Sequence, residues 1–290
     1  MTATESPAPT TKGLVLRAAQ ARWYDLLAAV LTLGRDRQLR ERLAELARLA
    51  PGESVLDVGC GTGTLALAAK RAVGASGTVV GIDASPDMIA LATRKAARAG
   101  ADVEFRNAAA ERLPFVDATF DAVLSTLMLH HLPAPLRRVC VREALRVLKP
   151  GGRMLVVDFA APSPRRGGVL ARLHRHGGLS PDAMVALLRG AEFRVEETGA
   201  VGMSDLRYAL AVKSLPGQAR PDDDAPVHRS LAPLPRPRWI APAAVGVAVA
   251  VHALMGLQLA ARVTLSAAGL AIAAVAAVVA WLHLAAPRRR

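Results

Sequence analysis

Cysteine is nearly missing from these 290 residues: there are two, Cys60 and Cys140, eighty positions apart. Two thiols make no disulfide framework, so the chain suits a reducing compartment. No pair of histidines, cysteines or acids stands at metal-site spacing, and no metal is expected. Residues 1–13 lack the basic-then-apolar build of a signal peptide and read as a disordered leader. Basic residues interleaved with aromatics are also missing, so the formal net charge of +13 does not point to a nucleic acid. The charge is uneven. Residues 225–290 hold seven arginines and no acid, which leaves +6 for the 224 residues before them. Basic flanks beside long apolar runs suit a membrane surface.

What the chain does have is an apolar run that stops in three alternating glycines, Val55-Leu56-Asp57-Val58-Gly59-Cys60-Gly61-Thr62-Gly63. Val55, Leu56 and Val58 suit a strand covered on both faces, and the glycines suit a loop where backbone approaches a ligand closely. The helix expected from Thr64 to Arg71 aims its amide groups and positive dipole end at the same place. Something small, polar and partly anionic fits there.

Strand, turn and helix then alternate, the mark of a parallel sheet with helical crossovers. Strands are expected at 55–58, 78–82, 103–106, 120–126, 153–159, 193–201 and 206–213. The last two, separated by a short connection, require one antiparallel strand. Ser85-Pro86-Asp87 and Ser180-Pro181-Asp182 each supply an N-cap, a proline at the first helical position and an acid in the first turn, so helices follow both. Lys149-Pro150-Gly151-Gly152 reads as a turn. Ahead of the sheet, residues 14–50 form a helical cap: 14–33 is apolar around Trp23 and Tyr24, candidates for helix packing or an aromatic lid, and 36–50 repeats leucine at amphipathic spacing. The expected fold is therefore α/β, a Rossmann-like doubly wound sheet of seven strands, spanning 14–213.

In such a fold an acid at the end of the second strand can accept both hydroxyls of a ribose, and Asp83 stands twenty residues beyond Gly63. The ligand then carries a nucleoside. The loop is Gly-x-Gly-x-Gly, not the Gly-x-Gly-x-x-Gly of pyrophosphate sites, and Asp57 could orient an ammonium group.

With these residues, the segments Gly81-Ile82-Asp83, Leu113-Pro114-Phe115, Phe120-Asp121, Leu129-His130-His131-Leu132 and Arg146-Val147-Leu148-Lys149-Pro150-Gly151-Gly152 closely resemble the class I S-adenosylmethionine-dependent methyltransferases. The likeness covers about 24–213 and is strongest to the ubiquinone and menaquinone biosynthesis branch. It implies S-adenosylmethionine as cofactor. Asp57, Gly59, Cys60, Gly61 and Gly63 are then expected around its methionine end, Asp83 on the ribose, and Ala84 and Met88 against the adenine, with Ser125 also at the cofactor. Many relatives carry an aspartate where this chain has Ala109. The backbone of Ala109 and Ala110 is left to read the adenine edge, with Glu111 close by. One neutral hydrogen bond fewer costs about 0.5 to 1.5 kcal/mol, which weakens the site without removing it.

Methyl transfer needs an aligned nucleophile and, for a hydroxyl or carbon acid, a base. His131 is the first candidate and His130 the second, with positioning or helix capping as the competing role; Asp158, ending the fifth strand, is another. Cys60 reads as a small loop residue rather than a nucleophile. His174 and His176, with Arg165, Arg166, Arg172 and Arg175, form a basic connection, either solvated or in contact with an anionic substrate or headgroup.

Residues 214–238 are proline-rich and read as an extended, mobile linker. Then come 23 uncharged residues, 239–261, a lone Arg262, 25 more at 263–287, and the basic tail 288–290. Each run can cross a bilayer of roughly 30 Å, and arginines at both outer ends place those ends in the cytoplasm. A buried helical pair packed on the domain is the alternative. The expectation is a methyltransferase of a small lipophilic acceptor, held at the cytoplasmic membrane face. Alternatives are a non-catalytic cofactor-binding membrane module and a nicotinamide-dependent oxidoreductase. Acceptor atom and oligomeric state stay open.

Overall fold

The computed structural model describes residues 35–160, 179–203, 206–215 and 226–234. Trp23 and Tyr24, the basic connection at 165–176 and both apolar runs of the tail lie outside the described residues. Among those described, no helix is long and apolar enough to cross a membrane.

The elements follow the alternation of the sequence: α1 (Asp36–Leu46), β1 (Ser54–Val58), α2 (Thr64–Val73), β2 (Thr78–Asp83), α3 (Pro86–Ala99), β3 (Glu104–Asn107), β4 (Phe120–Thr126), a 3-10 turn (Leu129–His131), α4 (Ala134–Val147), β5 (Leu148–Phe159), α5 (Pro181–Arg189), β6 (Phe193–Ala200), β7 (Leu206–Lys213) and β8 (Val227–His228). Local chemistry sets the helix ends. Ser85 Oγ accepts the Met88 N–H at 3.4 Å, Ser180 Oγ accepts that of Ala183 at 3.1 Å, and Gly100 closes α3 in the left-handed conformation.

The strands join in the order β3-β2-β1-β4-β5-β7-β6-β8. β7 runs antiparallel to both β5 and β6, and the remaining pairings are parallel. β1 shows why both faces are covered. Val55 packs with Leu39 and Leu43 of α1 and Ala66 of α2, while Leu56 and Val58 enter the opposite core with Val141 and Ala144 of α4. The period of two along a strand divides the apolar residues between these cores. The expected turn at 149–152 is instead a bulge inside β5: Leu148 pairs with Phe120 and Arg153 with Ala122, so four residues stand opposite Asp121 alone.

Two further expectations need correction: the sheet has eight strands, not seven, and the linker is not free along its length. Residues 226–234 lie along β6. The N–H groups of Arg229, Leu231 and Leu234 donate to the carbonyls of Thr198, Ala200 and Gly202 at 2.8, 3.2 and 3.0 Å. Arg42 donates to the carbonyls of Val201 and Ala232, Arg35 donates to that of Leu234, and the Leu234 side chain is buried. Gly199 makes the approach possible, because a Cβ there would stand 1.7 Å from the Arg229 carbonyl oxygen. Gly199→Ala is accordingly expected to detach this strand at a cost of about 1 to 3 kcal/mol, seen as a lower melting temperature and faster tryptic cleavage after Arg229.

Candidate functional site

β1, β4 and β5 are mutually parallel, so their carboxyl ends meet on one side of the sheet, where ligands of open α/β sheets bind. There the glycine loop leaves β1, Ser125 and Thr126 end β4, and Asp158 nearly ends β5.

Gly59, Gly61 and Gly63 all have positive φ, 73°, 54° and 75°. Packing requires two of them as much as conformation does. A Cβ on Gly59 would sit 2.3 Å from Met128 Cγ, and one on Gly63 2.6 Å from Phe105 Cζ. Behind the loop, the Lys95 amine of α3 donates to Thr62 Oγ1 at 2.9 Å and Thr64 Oγ1 at 3.1 Å. These supports were not legible from the motif. Lys95 reads as one more solvated charge on a helix, and Phe105 as a core residue of a short strand.

Asp57 is 1 % exposed, and its Oδ2 has no hydrogen-bond partner. Burial pushes its pKa up to about 7, against the opposing pull of Arg40 and with a further push from Asp83. A buried carboxyl oxygen without a donor carries a desolvation cost of about 1 to 3 kcal/mol unless a ligand supplies one. Asp83 is arranged differently. Its Oδ2 accepts the Gly61 N–H at 2.9 Å and its Oδ1 the Ser85 N–H at 2.8 Å. Burial raises its pKa and these two amides lower it, the net direction being upward. Held at both oxygens, the carboxylate still has lone pairs for further donors.

Ala84 is half-buried at the end of β2, and Met88, Ala109 and Ala110 are buried. Glu111 is half-buried beside them. Cys60 is buried, its thiol pushed well above the ordinary value first by burial and then by the charges of Asp57 and Asp83. Ser125 is 1 % exposed with an unpartnered hydroxyl, next to Val58 through the β1–β4 pairing. An open cleft of about 350 Å³ adjoins the loop on the α1–α2 side, lined by Asp36, Arg37, Arg40, Thr64, Leu67 and Arg71. Arg40, the cation facing Asp57, had no distinguishing signal in the sequence.

The three candidate bases do not form one cluster of equals. Asp158, fully buried, accepts the His130 backbone N–H on Oδ2 at 3.0 Å, and the Phe159 N–H on Oδ1 at 2.8 Å; His130 Nδ1 lies 2.7 Å from Oδ1. Two backbone N–H groups already donate to this carboxyl, and the tautomer with its hydrogen on Nδ1 adds a third bond to it, leaving Nε2 for other contacts. The His131 ring lies against that of His130, with centroids 3.9 Å apart and planes at 46°, while it is His130 that Asp158 holds. Desolvation of its inner face, and then the His130 charge, hold its pKa below the usual value. Its outer surface is exposed to water, which moderates the depression.

A doubly wound sheet, a glycine loop with paired acids on β1 and β2, and a histidine pair after β4 define a class: nucleoside-cofactor enzymes of the methyltransferase kind. The sequence comparisons agree. Residues 55–152 match the methyltransferase domain family. The chain is 41% identical over 152 residues to the demethylmenaquinone methyltransferase of Thermus thermophilus, a match covering 52% of this chain and 67% of that protein. It belongs to the S-adenosylmethionine-dependent methyltransferases, whose cofactor is S-adenosylmethionine. The ubiquinone/menaquinone biosynthesis C-methyltransferase of Pseudomonas putida is 37% identical over 142 residues, 48% of this chain and 55% of that protein. The matched part is thus about half to two thirds of these relatives' length. An S-adenosylmethionine-dependent methyltransferase structure from Aquifex aeolicus shares the fold, with a TM-score of 0.57 at 23% identity over 68% of this chain and 98% of that one.

The residues fit this cofactor. The orphaned Asp57 oxygen suits an ammonium, and the amide-held Asp83 carboxylate suits a pair of hydroxyls. The pH dependence has a definite sign. An ammonium calls for the carboxylate form of Asp57, and in the free protein that form appears as pH rises through about 7. Affinity for S-adenosylmethionine should therefore climb from pH 5.5 to 7.5, then fall above about 8 as the ligand's own α-amino group loses its proton. Titration calorimetry across that range reads it.

Proposed function

We propose that this chain transfers a methyl group from S-adenosylmethionine to a small lipophilic acceptor, of quinone or lipid type, at the cytoplasmic face of a membrane. The observation that carries the donor half of this reading is the buried, unpartnered Oδ2 of Asp57 beside the glycine loop. Asp57, Gly59, Cys60, Gly61 and Gly63 take the methionine end, with Ser125 alongside. Asp83 takes the ribose; Ala84, Met88, Ala109, Ala110 and Glu111 surround the adenine. The cofactor supplies a methyl group already activated on a sulfonium.

The protein then has two tasks, to align the acceptor and to remove its proton. His130 takes that proton at Nε2 while Asp158 holds the ring through Nδ1, so the base is His130 rather than the first sequence candidate, His131. The acceptor atom forms its bond to the methyl carbon as the carbon–sulfur bond breaks, and the bonding electrons stay on sulfur in the departing thioether. Kinship with enzymes named for demethylmenaquinone and ubiquinone/menaquinone supports a lipophilic acceptor. Two apolar runs, 239–261 and 263–287, with arginines at 236, 238 and 288–290, support a membrane hairpin whose ends are cytoplasmic.

The test is methyl transfer from labelled S-adenosylmethionine into a total lipid extract by the full chain, with calorimetry against S-adenosylmethionine and NADH. A product 14 Da heavier, made from a lipid or quinone, is the expected result. Binding of NADH alone sinks the donor; binding of S-adenosylmethionine without any transfer leaves a cofactor-binding module in place of an enzyme.

A further inference from the structure

Resting on the membrane reading above, we propose that the domain is held with the carboxyl ends of its strands, and hence the mouth of its site, against the bilayer. The direction of β8 carries the inference. β8 is parallel to β6; β6 and β5 are both antiparallel to β7, so β6 is parallel to β5 and through it to β4 and β1. The segment 226–234 therefore travels toward the side where the glycine loop and Asp158 lie. It ends there firmly. Leu234 N–H donates to the Gly202 carbonyl beyond the end of β6, its own carbonyl accepts from Arg35 just before α1, and its side chain is buried.

Only Pro235-Arg236-Pro237-Arg238 separates this anchored residue from the apolar run starting at Trp239. Whatever their conformation, four residues reach at most about 14 Å. So short a tether cannot turn the domain around. If the run at 239 enters a bilayer, the start of α1 and the adjoining cleft come to its surface. Charge agrees in sign, since Arg37, Arg40 and Arg71 line that cleft, and after Arg37 pairs with Glu41 and Arg40 with Asp36 the charge of Arg71 is left over. Arg236 and Arg238 add to the same face, which suits anionic headgroups. An acceptor dissolved in the bilayer then reaches His130 without crossing bulk water.

The test uses the full chain in nanodiscs of phosphatidylcholine and phosphatidylglycerol containing a headgroup-labelled acceptor lipid. A donor dye is placed on Arg37→Cys or on Val116→Cys, the latter being exposed just before β4 at the opposite ends of the strands; the native Cys60 and Cys140 are buried. The two positions differ by about 20 Å along the strand direction, six residues at about 3.3 Å each. Energy transfer from position 37 should exceed that from position 116 about twofold. Twenty glycine and serine residues inserted after Pro235 should abolish the difference. Equal transfer from both positions, or no effect of the insertion, in protein that resists carbonate extraction overturns the orientation alone. Release by carbonate overturns the membrane reading, and the orientation with it.

Discussion

Asp57→Asn is expected to bind S-adenosylmethionine about a hundredfold more weakly at pH 7.5, and yet to melt at a higher temperature without ligand. The two effects have one cause. Truncating one partner of a buried, hydrogen-bonded charge pair costs about 2 to 5 kcal/mol, and about 2.7 kcal/mol is a factor of a hundred in affinity. In the free protein the same carboxylate is a burden. Its folded pKa, about 7, lies above the ordinary value of 3.8, so the folded state binds the extra proton. Stability from this group is full below pH 4, falls as pH rises toward 7, and above 7 carries a penalty of about 4 kcal/mol. Asparagine removes that pH dependence, and its buried amide returns about 1 to 3 kcal/mol of the gain. Melting curves of both proteins from pH 4 to 8 should diverge above pH 5, while calorimetry shows the lost affinity. Unchanged binding by the variant would falsify the assignment of Asp57 to the ammonium.

The second large effect separates two neighbours. His130→Ala should lower kcat by about 10² to 10⁴, the contribution of a positioned general base, with cofactor affinity unaltered. His131→Ala should leave kcat nearly as it was, because Asp158 grips His130 and its carboxylate orients only that ring. Asp158 acts through His130, and a positioning role has its own signature. In Asp158→Asn the ring loses the acceptor that orients it, so kcat should fall while cofactor affinity and the KM for the acceptor hold, and Asp158→Glu should restore part of the rate. A merely structural loss would lower the melting temperature and weaken binding as well. Equal losses for the two histidine variants would remove the base from the mechanism.

Much of this was readable locally, because the determinants are local. The glycine loop, the acid twenty residues on and the two Ser-Pro-Asp caps each settle a conformation within a few neighbouring residues: Gly63 is left-handed before its helix, Asp83 accepts the Gly61 N–H, and both serines cap the helices that follow them. β6 and β7 likewise announced an antiparallel strand through the short connection between them. Features assembled from distant parts were not readable. The His130–Asp158 pair spans 28 residues and appears only when β4 and β5 lie side by side. The bulge at 149–152 has the composition of a turn because it interrupts a strand whose two halves pair in different registers with β4. β8 is the clearest case. Its residues have little strand propensity and are held by carbonyls, two arginines and a glycine lying elsewhere in the chain, so the segment reads as linker until its partners are present.

That segment has a consequence for how the domain survives in solution. A lateral strand left unpaired offers its row of N–H and C=O groups as a template for another chain, the first step toward aggregation. At one margin of this sheet β3 defends itself by being four residues long and carrying Glu104 and Arg106. At the other margin β6 is eight residues long, and the chain's own 226–234 occupies its template positions, with Pro233 near the end of the cover. A protein cut back to residue 215 would keep every residue of the glycine loop and still expose that row. Its expected fault is self-association through β6, visible as concentration-dependent light scattering, rather than any loss of cofactor chemistry.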